Sequence, residues 1–241
     1  MSIKKHIPNA LTCGNLISGC IATCFAFLGE PATALAWIVA GVAFDFLDGM
    51  VARLLGVQSA IGKELDSLAD VVTSGVAPST ILLSELLVLN WPEWAEGTRI
   101  FDVSLSEILA FSAYVMAAFS ALRLAKFNLD LRQTTSFIGL PTPANALFWG
   151  AFILGIAPRM ESQPWMPWLL LGMMAVSCWL LVSELPMFAL KFKHWGWRDN
   201  RLRYFFLLTC IPLLALFGIS GIALIIVWYV LLSLIVHLKT R

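Results

Sequence analysis

Four aspartates lie close together in an otherwise apolar sequence. Residues 45–70 read DFLDGMVARLLGVQSAIGKELDSLAD and contain Asp45, Asp48, Asp66 and Asp70. The separations of three and four residues place each pair on one face of a helix. Gathered carboxylates repel one another unless a cation lies among them, and all-oxygen clusters suit magnesium or manganese, which usually bind phosphate oxygens as well. The pattern favours metal-assisted chemistry on a phosphate ester; four separately solvated or paired acids are the alternative.

The elements that must position these acids are membrane helices. The chain has 241 residues, of which 59% are hydrophobic and 13% charged, and its mean hydropathy is +0.84. Apolar runs of about 20 residues, long enough to cross a bilayer, predict an all-α, polytopic integral membrane helix bundle of about eight helices. The predicted helices are 9–28, 33–54, 64–90, 106–127, 143–159, 166–190, 203–219 and 220–238. The last two share a tight turn at residues 218–221, so seven spans are the alternative.

The basic residues predict the orientation of the bundle. With eight helices, 14 of the 16 Lys and Arg residues fall on the side of the termini, and Arg99 and Arg159 fall on the other. Cytoplasmic loops collect Lys and Arg, so we expect both termini on the cytoplasmic side. The side of the termini receives Lys4, Lys5, Arg53, Lys63, Arg123, Lys126, Arg132, Lys191, Lys193, Arg198, Arg201, Arg203, Lys239 and Arg241. Residues 191–203 are interpreted as an interfacial belt of basic and aromatic side chains, without a role in binding nucleic acid.

The same topology brings the four acids together. Asp45 and Asp48 lie toward the cytoplasmic end of the second predicted helix, and Asp66 and Asp70 lie at the start of the third. A short connection bracketed by Gly56 and Gly62 would make the two helices antiparallel, so that their acidic faces meet. A cation transporter that uses the acids as an ion site is the alternative hypothesis. It would place them near the bilayer midplane, whereas these acids lie near one face.

The motif itself resembles the signature of the CDP-alcohol phosphatidyltransferase family. The resemblance rests on the pattern Asp45-x2-Asp48-Gly49-x2-Ala52-Arg53-x8-Gly62-x3-Asp66-x3-Asp70. It implies an integral membrane enzyme with a six-helix core that transfers a phosphate-linked group from a CDP-activated lipid or alcohol to a hydroxyl. Here the chain would form one domain, residues 1–241, with its catalytic core at about 1–190 and an additional helix pair at about 203–238.

The resemblance also implies roles for individual residues. Asp45, Asp48 and Asp66 would bind Mg²⁺ or Mn²⁺, with two ions in each active site, and Asp70 would complete the metal cluster and act as the catalytic base. Gly49 and Ala52 would face the cytidine, Arg53 the phosphates, and Gly62 would allow the nucleotide to approach closely. Asn9, Thr12 and Asn15, which share one face of the first helix, are expected to contact the nucleotide or phosphate; helix–helix hydrogen bonds are the alternative.

Two further stretches resemble the membrane-integral, serine-accepting branch of this family. They are PNALTCGN at residues 8–15, and RLAKFN at 123–128 followed by FIGLPTPA at 137–144. Arg123, Lys126, Asn128 and Thr142 are therefore expected to bind the acceptor or the lipid phosphate. At Lys126 many relatives carry arginine, so a planar two-pronged donor is replaced by a point charge. Ordinary positive-inside topology is the alternative for the two cations.

The resulting hypothesis is a phosphatidyltransferase that converts CDP-diacylglycerol and L-serine into a lipid product and CMP. Glycerol 3-phosphate, inositol and choline are the alternative acceptors. The expected partners are both substrates, membrane lipids and a second copy of the chain in a homodimer. The expected location is a cell membrane of bacterial or archaeal type, with the active site on the cytoplasmic side.

Overall fold

The computed structural model describes residues 6–57, 59–130, 137–155, 157–159, 162–188 and 196–240. Lys4, Lys5, Arg132, Lys191, Lys193 and Arg241, on which part of the orientation argument depends, lie outside these ranges. The α-helices are α1 His6–Phe27, α2 Pro31–Leu55, α3 Ala60–Asp70, α4 Ala77–Val88, α5 Glu93–Gly97, α6 Leu105–Phe111, α7 Val115–Leu129, α8 Thr142–Gly155, α9 Met166–Val182, α10 Trp197–Phe217 and α11 Ile219–Thr240. The strands are β1 Arg99–Ile100, β2 Val103–Ser104, β3 Phe137–Ile138 and β4 Pro186–Met187.

Six helical segments of the described residues are long and apolar enough to cross a membrane. They are His6–Phe27, Pro31–Leu55, Ala60–Val88, Leu105–Leu129, Asn200–Phe217 and Ile219–Lys239. The prediction of an all-α polytopic membrane protein is thereby confirmed. The predicted helices 143–159 and 166–190 are present in shorter form, as α8 and α9. Gly218, with a φ of 54°, separates α10 from α11, so the C-terminal part of the chain forms two helices rather than one.

The predicted helix 166–190 ends eight residues early, at Val182. Ser183 adopts an extended conformation, with φ −64° and ψ 153°. Pro186 disfavours a helical conformation at the residue before it. The chain instead runs as β4, which pairs antiparallel with β3 in the register Phe137 to Met187 and Ile138 to Pro186. This pairing joins two segments that the sequence analysis treated as a loop and as part of a helix.

The short connection between α2 and α3 is capped at both ends. Gly56 ends α2 in the left-handed conformation, at φ 63° and ψ 32°, and its N–H donates to the carbonyls of Ala52 and Arg53. Ser59 caps α3 by accepting a hydrogen bond of 3.0 Å from the N–H of Gly62. Because both ends of the short connection are capped, the acidic ends of the two helices face each other.

A π-helical segment, Val71–Val76, interrupts the third membrane span directly after Asp70. It precedes Pro78, whose ring removes a backbone donor and crowds the preceding turn. Thr73 of this segment is buried and donates a 3.0 Å hydrogen bond to the carbonyl of Asn15 in α1. Segments of this kind are frequent at functional sites, and here the segment fixes α1 against the helix that carries Asp70.

Gly19 allows this close approach of α1 to the π-helical segment. A Cβ at Gly19 would lie 2.8 Å from both the Cα and the N of Thr73, and would also meet its Oγ1. We predict that Gly19→Ala lowers the free energy of unfolding by about 1–3 kcal/mol, the usual cost of overpacking. Thermal unfolding in detergent micelles measures the effect.

Gly172→Ala is the matched control for this prediction. Gly172 is exposed on α9, and within the described ranges an added Cβ there would meet no heavy atom within 4 Å. A loss of stability of the same size in both variants would mean that the effect comes from the helical glycine itself, and not from contact with Thr73.

The C-terminal helix α11 packs against α8 and β4. Ser220 at its start lies against Gly155 at the end of α8, where a Cβ would meet the Cα of Ser220 at 3.0 Å. Farther along, Tyr229 and Leu232 form a small buried cluster with Leu140, Met187 and Phe206. The helix pair is therefore attached to α8 and to the β3–β4 pair.

Candidate active site

Three of the four aspartates form one compact group. A carboxylate oxygen from each of Asp45, Asp48 and Asp66 lies within 4.8 Å of the other two. Asp48 is 6% exposed, and the other two are half-buried. Such a group of negative charges in a partly desolvated place is unfavourable without a counter-charge. Its arrangement therefore fits a bound cation.

One atom of this group points more specifically to a ligand. Oδ1 of Asp66 is buried and makes no hydrogen bond within the described part of the chain. Buried carboxylate oxygens are normally paired or coordinate a metal. Asp45, Asp48 and Asp66 supply hard oxygen donors only, which are the donors that Mg²⁺ and Mn²⁺ prefer. The residues present thus fit the predicted divalent ion.

Helix α1 orients two of the acids by hydrogen bonds. The Thr12 hydroxyl lies 2.5 Å from Oδ2 of Asp48 and donates to it, and the Asn15 side-chain amide donates to Oδ1 of Asp70 at 3.1 Å. Thr12 is 3% exposed and Asn15 is fully buried. Their common face was predicted, but they contact the acids directly, a role that the sequence analysis did not assign to them.

Asp70 lies beside the group of three and differs from it in its surroundings. It is 9% exposed, it accepts from Asn15, and it interacts electrostatically with Arg123 of α7. A carboxylate held by an amide donor and a nearby cation is oriented toward one position. Its predicted part in metal binding stays a prediction, as does its role as the base.

A cleft of about 470 Å³ opens beside the three carboxylates. Eight of the predicted residues line it: Asn9, Thr12, Asp48, Gly49, Ala52, Arg53, Gly62 and Asp66. The glycines leave room in the cleft that a larger side chain would fill. A Cβ at Gly62 would lie 3.3 Å from Oδ1 of Asn9, and a Cβ at Gly49 would lie 3.5 Å from Nη1 of Arg53. The cleft thus combines acids, one guanidinium and a floor of small side chains.

Lys63 and Ser59 also line this cleft, although they were not predicted as site residues. Ser59 is the N-cap of α3, and Lys63 donates a 3.0 Å hydrogen bond from Nζ to the carbonyl of Asn128. The sequence signal that could have identified Lys63 is its position directly after Gly62. Residues at the connection between the two acidic helices are expected to lie beside the cleft that Gly62 lines.

A second cavity, of about 290 Å³, lies at the C-terminal end of α7. Arg123, Lys126 and Asp130 line it from α7, and Ser183 and Glu184 line it from the segment after α9. Arg123 is 7% exposed, stacks on Phe127 with 5.1 Å from Cζ to the ring centroid, and its Nε makes no hydrogen bond to any described residue. A buried guanidinium with an unused donor fits an anionic group.

The other two residues predicted for the acceptor site lie elsewhere. Asn128 connects α7 to α3: its side-chain amide donates to Ser67 Oγ at 2.8 Å, and its carbonyl accepts from Lys63. Thr142 is fully buried at the start of α8, and its Oγ1 has no hydrogen-bond partner among the described residues. Neither lines the two cavities described above. Their binding roles stay predictions.

Comparison with known proteins gives a family match for most of the chain. The sequence profile of the family described as CDP-alcohol phosphatidyltransferase matches residues 5–179. This range contains the four aspartates, the larger cleft, and Arg123 and Lys126.

Similar curated proteins come from bacteria and an archaeon, and each is named CDP-diacylglycerol–serine O-phosphatidyltransferase. The Mycobacterium leprae protein is 32% identical over 189 residues, which is 75% of this chain and 57% of that protein. The Bacillus subtilis protein is 36% identical over 139 residues, 58% of this chain and 70% of that protein. The Methanocaldococcus jannaschii protein is 36% identical over 148 residues, 61% of this chain and 60% of that protein. The match thus spans less than two thirds of the mycobacterial and archaeal relatives.

Proposed function

The chain belongs to the CDP-alcohol phosphatidyltransferase family, and we propose that it transfers the phosphatidyl group of CDP-diacylglycerol to the hydroxyl of L-serine. The observation that carries the proposal is the group Asp45, Asp48 and Asp66, two members of which line a cleft that also contains Arg53 and the small residues Gly49, Ala52 and Gly62. The names of the similar bacterial and archaeal proteins support the same donor and acceptor.

Asp45, Asp48 and Asp66 would hold Mg²⁺ or Mn²⁺, with two ions in the site as the family resemblance implies. A bound divalent ion supplies charge stabilisation to a diphosphate and to a departing phosphate. The Thr12 hydroxyl, by donating to Asp48, fixes the direction in which the other oxygen of that carboxylate points. In this proposal Asp70 completes the acidic cluster beside these three ligands.

The larger cleft takes the CDP part of the donor in this proposal. Arg53 and Lys63 bring positive charge to the phosphates, and Gly49, Ala52 and Gly62 leave room for the nucleotide to lie against the backbone. Asn9 offers a side-chain amide at the same wall. The two acyl chains of the donor remain among the apolar outer surfaces of the helices.

Asp70 removes the proton of the attacking hydroxyl in this proposal. The serine oxygen forms a bond to the phosphorus that carries diacylglycerol while the bond from that phosphorus to the CMP oxygen breaks, and CMP leaves with the electron pair. Asn15 holds the Asp70 carboxylate in one orientation throughout the step. An alcohol has too high a pKa to ionise unaided at neutral pH, so a base positioned within hydrogen-bond reach accelerates the attack.

Arg123 binds the carboxylate of the acceptor. Its guanidinium is buried at the wall of the smaller cavity and interacts electrostatically with Asp70, and in this proposal the hydroxyl of an acceptor bound there is directed toward Asp70. A planar guanidinium suits a carboxylate because it can donate two parallel hydrogen bonds. Lys126 adds a second positive charge to the same wall.

The acceptor is tested by measuring CMP release from purified protein supplied with CDP-diacylglycerol and Mn²⁺ or Mg²⁺. L-serine, glycerol 3-phosphate, inositol and choline are added in turn. We expect CMP release with serine at least about 100-fold faster than with the other three, since a site built to bind a substrate's polar groups rejects analogues that lack them by large factors. Absence of serine-dependent release would refute the acceptor, and absence of release with every acceptor would refute the transferase activity.

The orientation and assembly are further parts of the proposal. We place both termini and the active site on the cytoplasmic side because 14 of the 16 Lys and Arg residues fall on that side of the predicted topology. The family resemblance supports a homodimer. The protein would work in a cell membrane of bacterial or archaeal type, where the lipid donor is dissolved.

A further inference from the structure

The smaller cavity is lined by charged side chains of both signs, which come from two segments of the chain. Arg123 and Lys126 line it from α7, and Glu184 lines it from the segment that follows α9. Glu184 is exposed, whereas Arg123 is buried and its Nε donates to no residue that the structure describes. Asp130 also lines this cavity, whose volume is about 290 Å³, so two cations and two acids are available to a small zwitterion.

The wall that carries Glu184 is held in place by backbone hydrogen bonds. The N–H of Gly139 donates to the carbonyl of Leu185 at 2.9 Å, and the N–H of Leu140 donates to the carbonyl of Leu180 at 2.9 Å. Gly139 has a φ of 74°, and a Cβ there would lie 2.7 Å from the carbonyl oxygen of Leu181. These contacts fix residues 180–185 against the chain that enters α8, so the position of Glu184 is set by the fold.

Tyr229 of α11 contacts the same segment farther along the chain, at Phe188. Its hydroxyl donates a 3.0 Å hydrogen bond to the carbonyl of Phe188, and its ring lies 4.8 Å from the Phe188 ring and 5.8 Å from the Phe206 ring. Tyr229 is 7% exposed and also interacts electrostatically with Arg123. Tyr229 thus contacts the segment that carries Glu184 and also interacts electrostatically with Arg123.

These elements lie beyond the residues that match the family profile. The match ends at residue 179, whereas Glu184, Phe188 and Tyr229 follow it. The four aspartates and the larger cleft, which handle the phosphate chemistry in the proposed function, lie inside it. The larger cleft therefore lies within the part of the chain that matches the family, whereas the smaller cavity is lined by residues of that part and by residues that follow it.

We propose that Glu184 binds the ammonium group of the amino-acid acceptor opposite Arg123, and that Tyr229 is the positioning residue that holds the Glu184 wall in place. The inference rests on the proposed transfer to serine and names the groups that select the acceptor. A serine with its carboxylate on Arg123 and its ammonium on Glu184 has two fixed points, so its hydroxyl is directed to one side, toward Asp70. Acceptors that lack the ammonium lose one of the two points.

Glu184→Gln is the first test, in steady-state assays of CMP release. We expect the KM for L-serine to rise roughly 10- to 100-fold, the effect of removing a charged hydrogen-bond partner, while the KM for CDP-diacylglycerol and kcat stay within about threefold. Glu96→Gln, an exposed acid on α5, is the matched control and should leave all three constants unchanged. An unchanged serine KM in Glu184→Gln, or equal increases for both substrates, would overturn the proposal.

Competition by serine fragments tests the same contact independently. 3-Hydroxypropanoate keeps the carboxylate and lacks the amine, and ethanolamine keeps the amine and lacks the carboxylate. Both fragments are used as inhibitors of the serine reaction. Glu184→Gln should weaken the binding of ethanolamine about as much as the binding of serine, and it should leave the binding of 3-hydroxypropanoate unchanged. Equal changes for both fragments would contradict the assigned contact.

Tyr229→Phe tests the positioning role, because it keeps the aromatic ring and removes the bond to the Phe188 carbonyl. We expect the serine KM to rise about 3- to 10-fold, in line with the loss of one hydrogen bond, with kcat nearly unchanged and a thermal midpoint close to that of the wild type. A serine KM equal to that of the wild type would remove Tyr229 from this role. If wild-type protein releases CMP only with another acceptor, the proposed function fails; if it uses serine and Glu184→Gln does so equally well, only this inference fails.

Discussion

Replacing Asp70 by Asn is expected to lower kcat by at least about 100-fold, the lower bound of what a positioned general base contributes. The substitution keeps the size of the side chain, and an Asn Oδ1 still accepts the hydrogen bond that Asn15 donates at 3.1 Å. What is lost is the ability to take the proton of the attacking hydroxyl. Binding of CDP in the presence of Mn²⁺, measured by titration calorimetry, is expected to stay within about threefold of wild type.

The control for this variant is Asp102→Asn. Asp102 is exposed in the turn between β1 and β2 and has a φ of 66°, a conformation that Asn adopts as readily as Asp. It should behave as wild type in both measurements. Wild-type turnover in Asp70→Asn would remove Asp70 as the base. A large loss of CDP binding together with turnover would instead assign Asp70 to the metal site.

Replacing Asp66 by Asn is expected to weaken binding of Mn²⁺ by at least about 100-fold. Asp66 provides one of the three carboxylates that lie within 4.8 Å of one another, and the loss of outer-shell partners alone costs 10- to 100-fold in other metal sites. The same change removes one of three mutually repelling charges. Without metal, the variant should therefore unfold at the same temperature as wild type or at a higher one.

Thermal unfolding with and without 1 mM Mn²⁺ separates these two effects. A ligand that binds the folded state stabilises it in proportion to the logarithm of its concentration over its Kd, so metal should raise the unfolding temperature of wild type and of Asp102→Asn, and have little effect on Asp66→Asn. Equal stabilisation of all three by Mn²⁺ would contradict the assignment of the metal to this group.

The sequence was sufficient to predict the acidic site because its signal is local. The separations within Asp45/Asp48 and Asp66/Asp70 follow from the period of the helix, and Gly56 and Ser59 cap the two ends of the short connection between α2 and α3. The apolar runs gave the membrane spans for the same reason. None of these inferences required knowledge of which distant segments pack together.

The parts that the sequence did not predict depend on tertiary packing. The π-helical segment at 71–76 comes from crowding before Pro78 and from the space at Gly19 and Gly41, which belong to other helices. The early end of α9 results from the pairing of β3 with β4. Glu184 is not among the residues predicted for the site, because no pattern in the sequence shows that its segment lines one cavity with Arg123.

The acceptor motif illustrates the same limit within six residues. The resemblance carried by RLAKFN predicts that Arg123, Lys126 and Asn128 act together, but the structure divides them. The two cations line the smaller cavity, while Asn128 holds α7 to α3 through Ser67. The spacing placed all three at the same end of the helix, but which of them faces a cavity is decided by the neighbouring helix.

The most direct test of the central claim is the fate of the serine hydroxyl oxygen. L-Serine labelled with ¹⁸O in its side-chain hydroxyl is incubated with purified protein, CDP-diacylglycerol and Mn²⁺, and the lipid product and CMP are analysed by mass spectrometry. Attack by the serine hydroxyl predicts one ¹⁸O in every molecule of phosphatidylserine, unlabelled CMP in equal amount, and no product of either kind when EDTA replaces the metal. Phosphatidylserine without the label, or CMP formed without phosphatidylserine, would contradict direct transfer to serine at this site.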